Sequence, residues 1–245
     1  MSVEKNSAEV LNAVRDAAFE DFRRLGFPSR KVERYKYTDM SAIFEPDYGL
    51  NLNRLEIPVD PYEAFRCDVP NLSTSLYFVV NDAFYCKALP KVELPEGVIV
   101  DSLNKIAAEN PEFIGKYYAK IAKTDEDGIT ALNTFLAQDG LLIYVPKNVK
   151  VERTIQVINI LRSDVDLMVN RRVLIVMEQG AEARSLCKTG RYNLKTAAPI
   201  HGSVLRDCPR SYPGHTGHKY GLIPSPRCGS YPAGNVHSRT LFQAN

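Results

Sequence analysis

The chain of 245 residues is 44% hydrophobic and 24% charged, enough to bury a sizeable core in one or two domains and incompatible with disorder throughout. No run of eighteen apolar residues occurs, and the opening MSVEKNSAEV is polar where a secretory leader needs a basic and then an apolar stretch; neither a membrane-spanning helix nor a leader is expected, and the location is predicted to be cytoplasmic. The net charge of +2 averages two opposites: residues 1–187 carry 23 Lys+Arg against 28 Asp+Glu, whereas residues 188–245 carry eight basic residues and one acid, Asp207.

Val10, Leu11, Val14, Ala17, Ala18, Phe22 and Leu25 recur at three- and four-residue steps, which predicts a helix over residues 8–25 with Ser7 as its cap. Gly26 and Pro28 supply the stop, and Arg23 and Arg24 suit the negative end of the helix dipole. A polar and aromatic segment over 29–38 leads to a short helix over 39–44 and then to loop as far as about Pro70. The β-branched and aromatic run 76–80, the turn pair Asn81-Asp82 and the run 83–88 predict a hairpin, with a third short strand over 98–100. Asp101 or Ser102 opens a helical region that is interrupted at Asn110-Pro111 and resumes through Phe113, Ile114, Tyr117, Tyr118 and Ile121. From Ile129 onward the rhythm changes to β-rich runs over 141–145, 154–161 and 172–177, separated by turn-forming Pro146-Lys-Asn148, Ser163-Asp164 and Glu178-Gln-Gly180. No helical pattern separates those runs, which favours a sandwich or a β-solenoid over a doubly wound sheet, and periodicity alone leaves both open.

Two segments carry a family resemblance: Lys31-Val-Glu-Arg-Tyr-Lys-Tyr-Thr38, and Thr130-Ala-Leu-Asn-Thr-Phe-Leu-Ala-Gln-Asp-Gly-Leu-Leu-Ile-Tyr-Val-Pro-Lys-Asn-Val-Lys-Val-Glu-Arg-Thr-Ile-Gln156. Both resemble the SufB/SufD family of iron–sulfur cluster assembly scaffolds, and the first points to the SufD branch. The likeness covers residues 8–186 and stops beyond Cys187. It implies an α+β fold, an N-terminal helical domain followed by the first rungs of a right-handed parallel β-helix, with an irregular C-terminal tail. The corresponding division is an N-terminal helical segment over 1–70, a mixed connector over 71–128, the start of the β-helix core over 129–187 and a divergent basic tail over 188–245. The implied role is that of a non-catalytic scaffold subunit acting with a SufB-like subunit and a SufC-like ATPase, with no nucleic-acid or membrane partner. An iron–sulfur cluster would be carried transiently by the complex and ATP would enter through the ATPase, so no cofactor is assigned to this chain. The family's ligand and partner residues lie in its later part; no catalytic or metal residue is therefore assigned here, and cofactor-binding residues are left unknown.

The chemistry of individual residues points the same way. Searches for GxxxxGK[ST], GxGxxG after a strand, HExxH and GxSxG return nothing, and residues 1–187 contain no histidine. Cys67 and Cys86 have aromatic neighbours in sequence and read as structural thiols; Cys187 reads as the close of the last β-run, where a rung would turn outward. Five cysteines without a CxxC pair argue against a disulfide framework. The string Lys31, Glu33, Arg34, Lys36, Asp39 reads as a solvated or salt-bridged segment, or as a means of fixing the N-terminal domain against a neighbour. Asp139-Gly140 reads as a tight turn and Asp125-Glu-Asp127 as a solvated loop. In the tail, Cys208, His215, His218 and Cys228, flanked by His201 and His237, offer soft ligands at a spacing that fits no known finger. A zinc-dependent nucleic-acid arm, a natural divergent tail and the product of a shifted reading frame all stay open for residues 188–245. A β-solenoid carbohydrate-active enzyme is the alternative for the body.

Overall fold

In the computed structural model, residues 3–38, 40, 44–45, 49–50, 52, 60–64, 74–87, 93–162, 167–193, 198–205 and 238–244 are described, with side chains described as far as Ser185. The N-terminal helix expected as one piece is two: α1, Glu9–Asn12, and α2, Arg15–Leu25. Val14 breaks the run at φ −102°, ψ −2°, and Ala8, not Ser7, stands at the N-cap position. Ser7 is used elsewhere: its hydroxyl lies 3.1 Å from the Val3 carbonyl and accepts from Arg15 Nη2 at 2.8 Å. The stop at Gly26 is as expected, with φ at +61°.

Two short elements occur in the stretch expected as loop: strand β1, Gly49–Leu50, and helix α3, Pro61–Ala64. The expected helix over 39–44 falls mostly outside the described residues. The hairpin forms as β2, Thr74–Val80, and a shorter β3, Ala83–Phe84, with Val79 opposite Phe84 and Val80 opposite Ala83. Asn81 takes the positive φ of +54° that the two-residue turn requires. Strand β4 is Ile99–Ser102, and Ser102 then caps α4, Leu103–Glu109, by accepting from the Lys105 amide at 3.0 Å. Asn110 ends α4 and caps α5, Pro111–Tyr117, accepting from the Phe113 amide, while Pro111 occupies the first helical turn where its missing N–H is harmless. The β-rich core was expected from residue 129; instead α6, Gly128–Leu136, precedes it, capped by Asp127.

Strands β5 (Asp139–Val145), β6 (Thr154–Arg162), β7 (Leu167–Met177) and β8 (Ser185–Asn193) then alternate between two sheets. One sheet has the order β1-β7-β5-β4, and β10, Ser238–Ala244, also pairs with β7; the other runs β3-β2-β6-β8-β9, where β9 is Ala198–Leu205. The β5–β7 pair is parallel with Asp139 opposite Arg171, and the β6–β8 pair is parallel with Ile155 opposite Ser185, so neighbours in each sheet stand 32 and 30 residues apart. Strand β8 crosses the boundary expected at Cys187, which sits inside the strand opposite Val157 and does not close it.

The core lies on both faces of the first sheet, which is why its runs read as continuously apolar. Leu141, Ile143, Val145 and Val173 face Tyr77, Val79, Ile155 and Val157 of the second sheet. Leu142, Leu174 and Val176 point the other way, onto Leu11, Leu103, Ala107, Ile114 and Tyr118 of the helices. Each such side chain stabilises by about 1.5–3 kcal/mol when taken fully out of water. The helices are thereby fixed to the sheet.

Candidate functional site

Polar groups concentrate where the helical part meets the sheets, and the residues responsible were read from the sequence as surface features. Asp127, expected in a solvated loop, is 8% exposed. It accepts from the Ile129 amide at 3.0 Å and the Thr130 hydroxyl at 3.1 Å within its own helix, and from the Tyr35 hydroxyl at 2.8 Å and Arg34 Nη1 at 3.2 Å across the domain. The alternating string around Arg34 therefore does fix the N-terminal part against a neighbour, within the same chain. Gly128 makes this approach possible, since a Cβ there would overlap the Gly26 carbonyl oxygen and lie 3.1 Å from its carbon.

Asp139 behaves likewise. Expected at a tight turn, it is buried at the head of β5 and accepts from the Ser102 hydroxyl at 2.8 Å, the Asn104 amide at 2.9 Å and the Phe84 amide at 3.2 Å. It gathers the β3 hairpin, the β4–α4 junction and β5 at one point. Arg171 and Arg172, adjacent on β7, are both fully buried and point to opposite faces. Arg171 donates to the Asn81 carbonyl at 3.2 Å, and Arg172 donates to the Thr134 hydroxyl and lies 5.2 Å from the centre of the Tyr118 ring. Arg15, also buried, donates to the carbonyls of Phe135 and Ala137, two of the orphan acceptors at the C-terminal end of α6. Burial holds the Arg15 guanidinium below its ordinary pKa.

These groups position elements; they do not present reacting atoms. Asp127 and Asp139 are both buried and each meets three or more donors of its own chain. Cys86, expected as a structural thiol, is exposed. Among the described residues no three His, Cys, Asp or Glu side chains come together as a metal site, and no helix is long and apolar enough to cross a membrane. Cys67, Cys208, His215, His218, Cys228 and His237 lie outside the described residues, and His201 and Cys187 are placed on β9 and β8 by backbone alone.

The positions that knit this junction, from Arg34 and Tyr35 through Asp127 to Asp139, all fall within a segment of recognisable type. The family model described as the SufBD protein N-terminal region matches residues 1–157. The chain belongs to the SufBD family. Its SufBD relatives include the "Iron-sulfur cluster assembly protein SufD" of Bacillus subtilis (strain 168), to which it is 33% identical over 128 residues, covering 52% of this chain and 29% of the relative. An iron–sulfur cluster assembly SufBD family protein of Staphylococcus aureus (strain MRSA252) is 29% identical over 116 residues, covering 46% of this chain and 24% of the relative. The chain thus spans under a third of the length of these SufBD relatives, and the resemblance read from the two motifs is borne out for the N-terminal part of the family.

Proposed function

We propose that this chain supplies the N-terminal part of a scaffold subunit in iron–sulfur cluster assembly, working beside a SufB-like subunit and a SufC-like ATPase in the cytoplasm. The observation that carries the reading is the SufBD match over residues 1–157, reinforced by the names of the relatives. In this reading the nascent cluster is cargo, and the chain contributes shape and contact while the partner ATPase supplies the work of nucleotide hydrolysis. The alternation of β5, β6, β7 and β8 between two sheets, with parallel neighbours 32 and 30 residues apart, supports taking them as the first turns of a right-handed parallel β-helix. The buried junction around Asp127, Asp139 and Arg15 would then hold the helical domain rigidly against the first turn of the stack.

The test is recovery of partners. An affinity-tagged chain of 245 residues, expressed at native level in its own host, is expected to co-purify with a SufB-like protein and a SufC-like ATPase identified by mass spectrometry. Recovery of neither would contradict the proposal.

A further inference from the structure

Large apolar side chains left in water are unevenly placed. Of the five large hydrophobic side chains exposed among the described residues, Phe19, Phe27, Val32 and Tyr37 lie in one stretch of the N-terminal part, and Leu50 is the fifth. Tyr37 is 92% exposed and Val32 46%. Scattered single exposures need no explanation, but these two flank a buried anchor. Tyr35 between them is 3% exposed and tied through its hydroxyl to Asp127. The 3-10 turn Glu33–Tyr35 is therefore pinned from below, and it displays Val32 and Tyr37 without their help. The fold has no use for a tyrosine in that position.

The surroundings are cationic. Residues 19–38 carry Arg23, Arg24, Arg30, Lys31, Arg34 and Lys36 against Glu20, Asp21 and Glu33, in a body that is otherwise acidic. Lys36 Nζ stands 5.7 Å from the Tyr37 ring centre and 3.9 Å from Glu33. Both members of that pair are more than half exposed, so it costs little to exchange Glu33 for a carboxylate of another molecule. Tyrosine and arginine on a preformed turn are the residue types that anchor protein interfaces, because they bring contact area with little ordering cost.

We propose that Val32 and Tyr37, with Lys31 and Lys36 beside them, form a docking surface for an acidic stretch of a protein partner that carries an apolar residue. This rests on the functional reading above, in which that partner is the SufB-like subunit. A protein is favoured over a phosphate polymer or an anionic membrane because acids are interleaved with the bases, which weakens the summed field that such ligands exploit.

The test is binding of the purified chain to the purified SufB-like subunit from the same organism, for the wild type, the double variant Val32→Ser/Tyr37→Ser and the double variant Lys31→Glu/Lys36→Glu. The serine variant is expected to bind at least tenfold more weakly with its Tm within about 2 °C of wild type, since neither side chain is buried. The glutamate variant is expected to lose the salt dependence that the wild type shows. Wild-type binding that both variants retain in full would overturn the docking surface and leave the scaffold reading standing. A wild type that binds no SufB-like subunit but is captured by anionic phospholipid vesicles would overturn both.

Discussion

Replacing Gly140 by alanine is expected to lower stability by on the order of 3 kcal/mol, a fall in Tm of about 6–12 °C for a chain of this size. Gly140 pairs with Arg172 across the β5–β7 ladder, and a Cβ at this point would overlap the Arg172 carbonyl oxygen, with the carbonyl carbon at 2.7 Å and the amide nitrogen at 2.8 Å. Every one of those atoms is backbone, held by the parallel ladder from Asp139 to Val145, so none can swing aside as a flexible side chain would. Arg172 is itself packed beneath Tyr118 and donates to Thr134, and a shift of its backbone would disturb the seat of α6 as well. Thermal unfolding followed by circular dichroism checks this. A Tm within 2 °C of wild type would show that β5 and β7 do not approach as described.

The second large effect is expected at Arg15. Its guanidinium is taken out of water and, in return, holds the carbonyls of Phe135 and Ala137 and the hydroxyl of Ser7. Arg15→Met keeps much of the volume but leaves two buried acceptors at the end of α6 without their donor. Hydrogen bonds from a charged donor are worth about 1.5–3 kcal/mol each, and part of that is offset by no longer burying a charge, so a net loss of about 3 kcal/mol is expected. Arg15→Lys should recover less than half of it, since an ammonium lacks the planar fork that reaches two carbonyls at once. Limited proteolysis gives a sharper readout than Tm: α1 and α2 should become cleavable before the sheets do, because Arg15 ties them to α6. Equal protection of both parts in Arg15→Met would argue against that role.

Much of the secondary structure was legible from local patterns, and what was missed has a common cause. The turn at Asn81-Asp82, the double cap at Asn110 and the stop at Gly26 rest on neighbours within a few residues, so their signals are complete in the sequence. The break at Val14 is different, because it serves Arg15, whose partners lie 120 and 122 residues away. Asp127 and Asp139 were read as loop and turn for the same reason: their donors, Tyr35 and Ser102, are distant in the chain. A carboxylate before Gly is a turn signal unless something folds over it. The parallel ladders join residues about 30 apart, a separation that strand periodicity does not report. The one hint available in advance was the motif around Arg34 and Tyr35, whose charges were read either as solvated or as an attachment. The attachment is what the fold uses, and it leaves Val32 and Tyr37 outward.

Removing this gene and restoring it tests the account most directly. In the deletion strain, the activity of iron–sulfur enzymes, measured against iron-free enzymes in the same extracts, is expected to fall severalfold and to return when the 245-residue chain is supplied from a plasmid. Iron–sulfur enzyme activities unchanged by the deletion would contradict a role in cluster assembly.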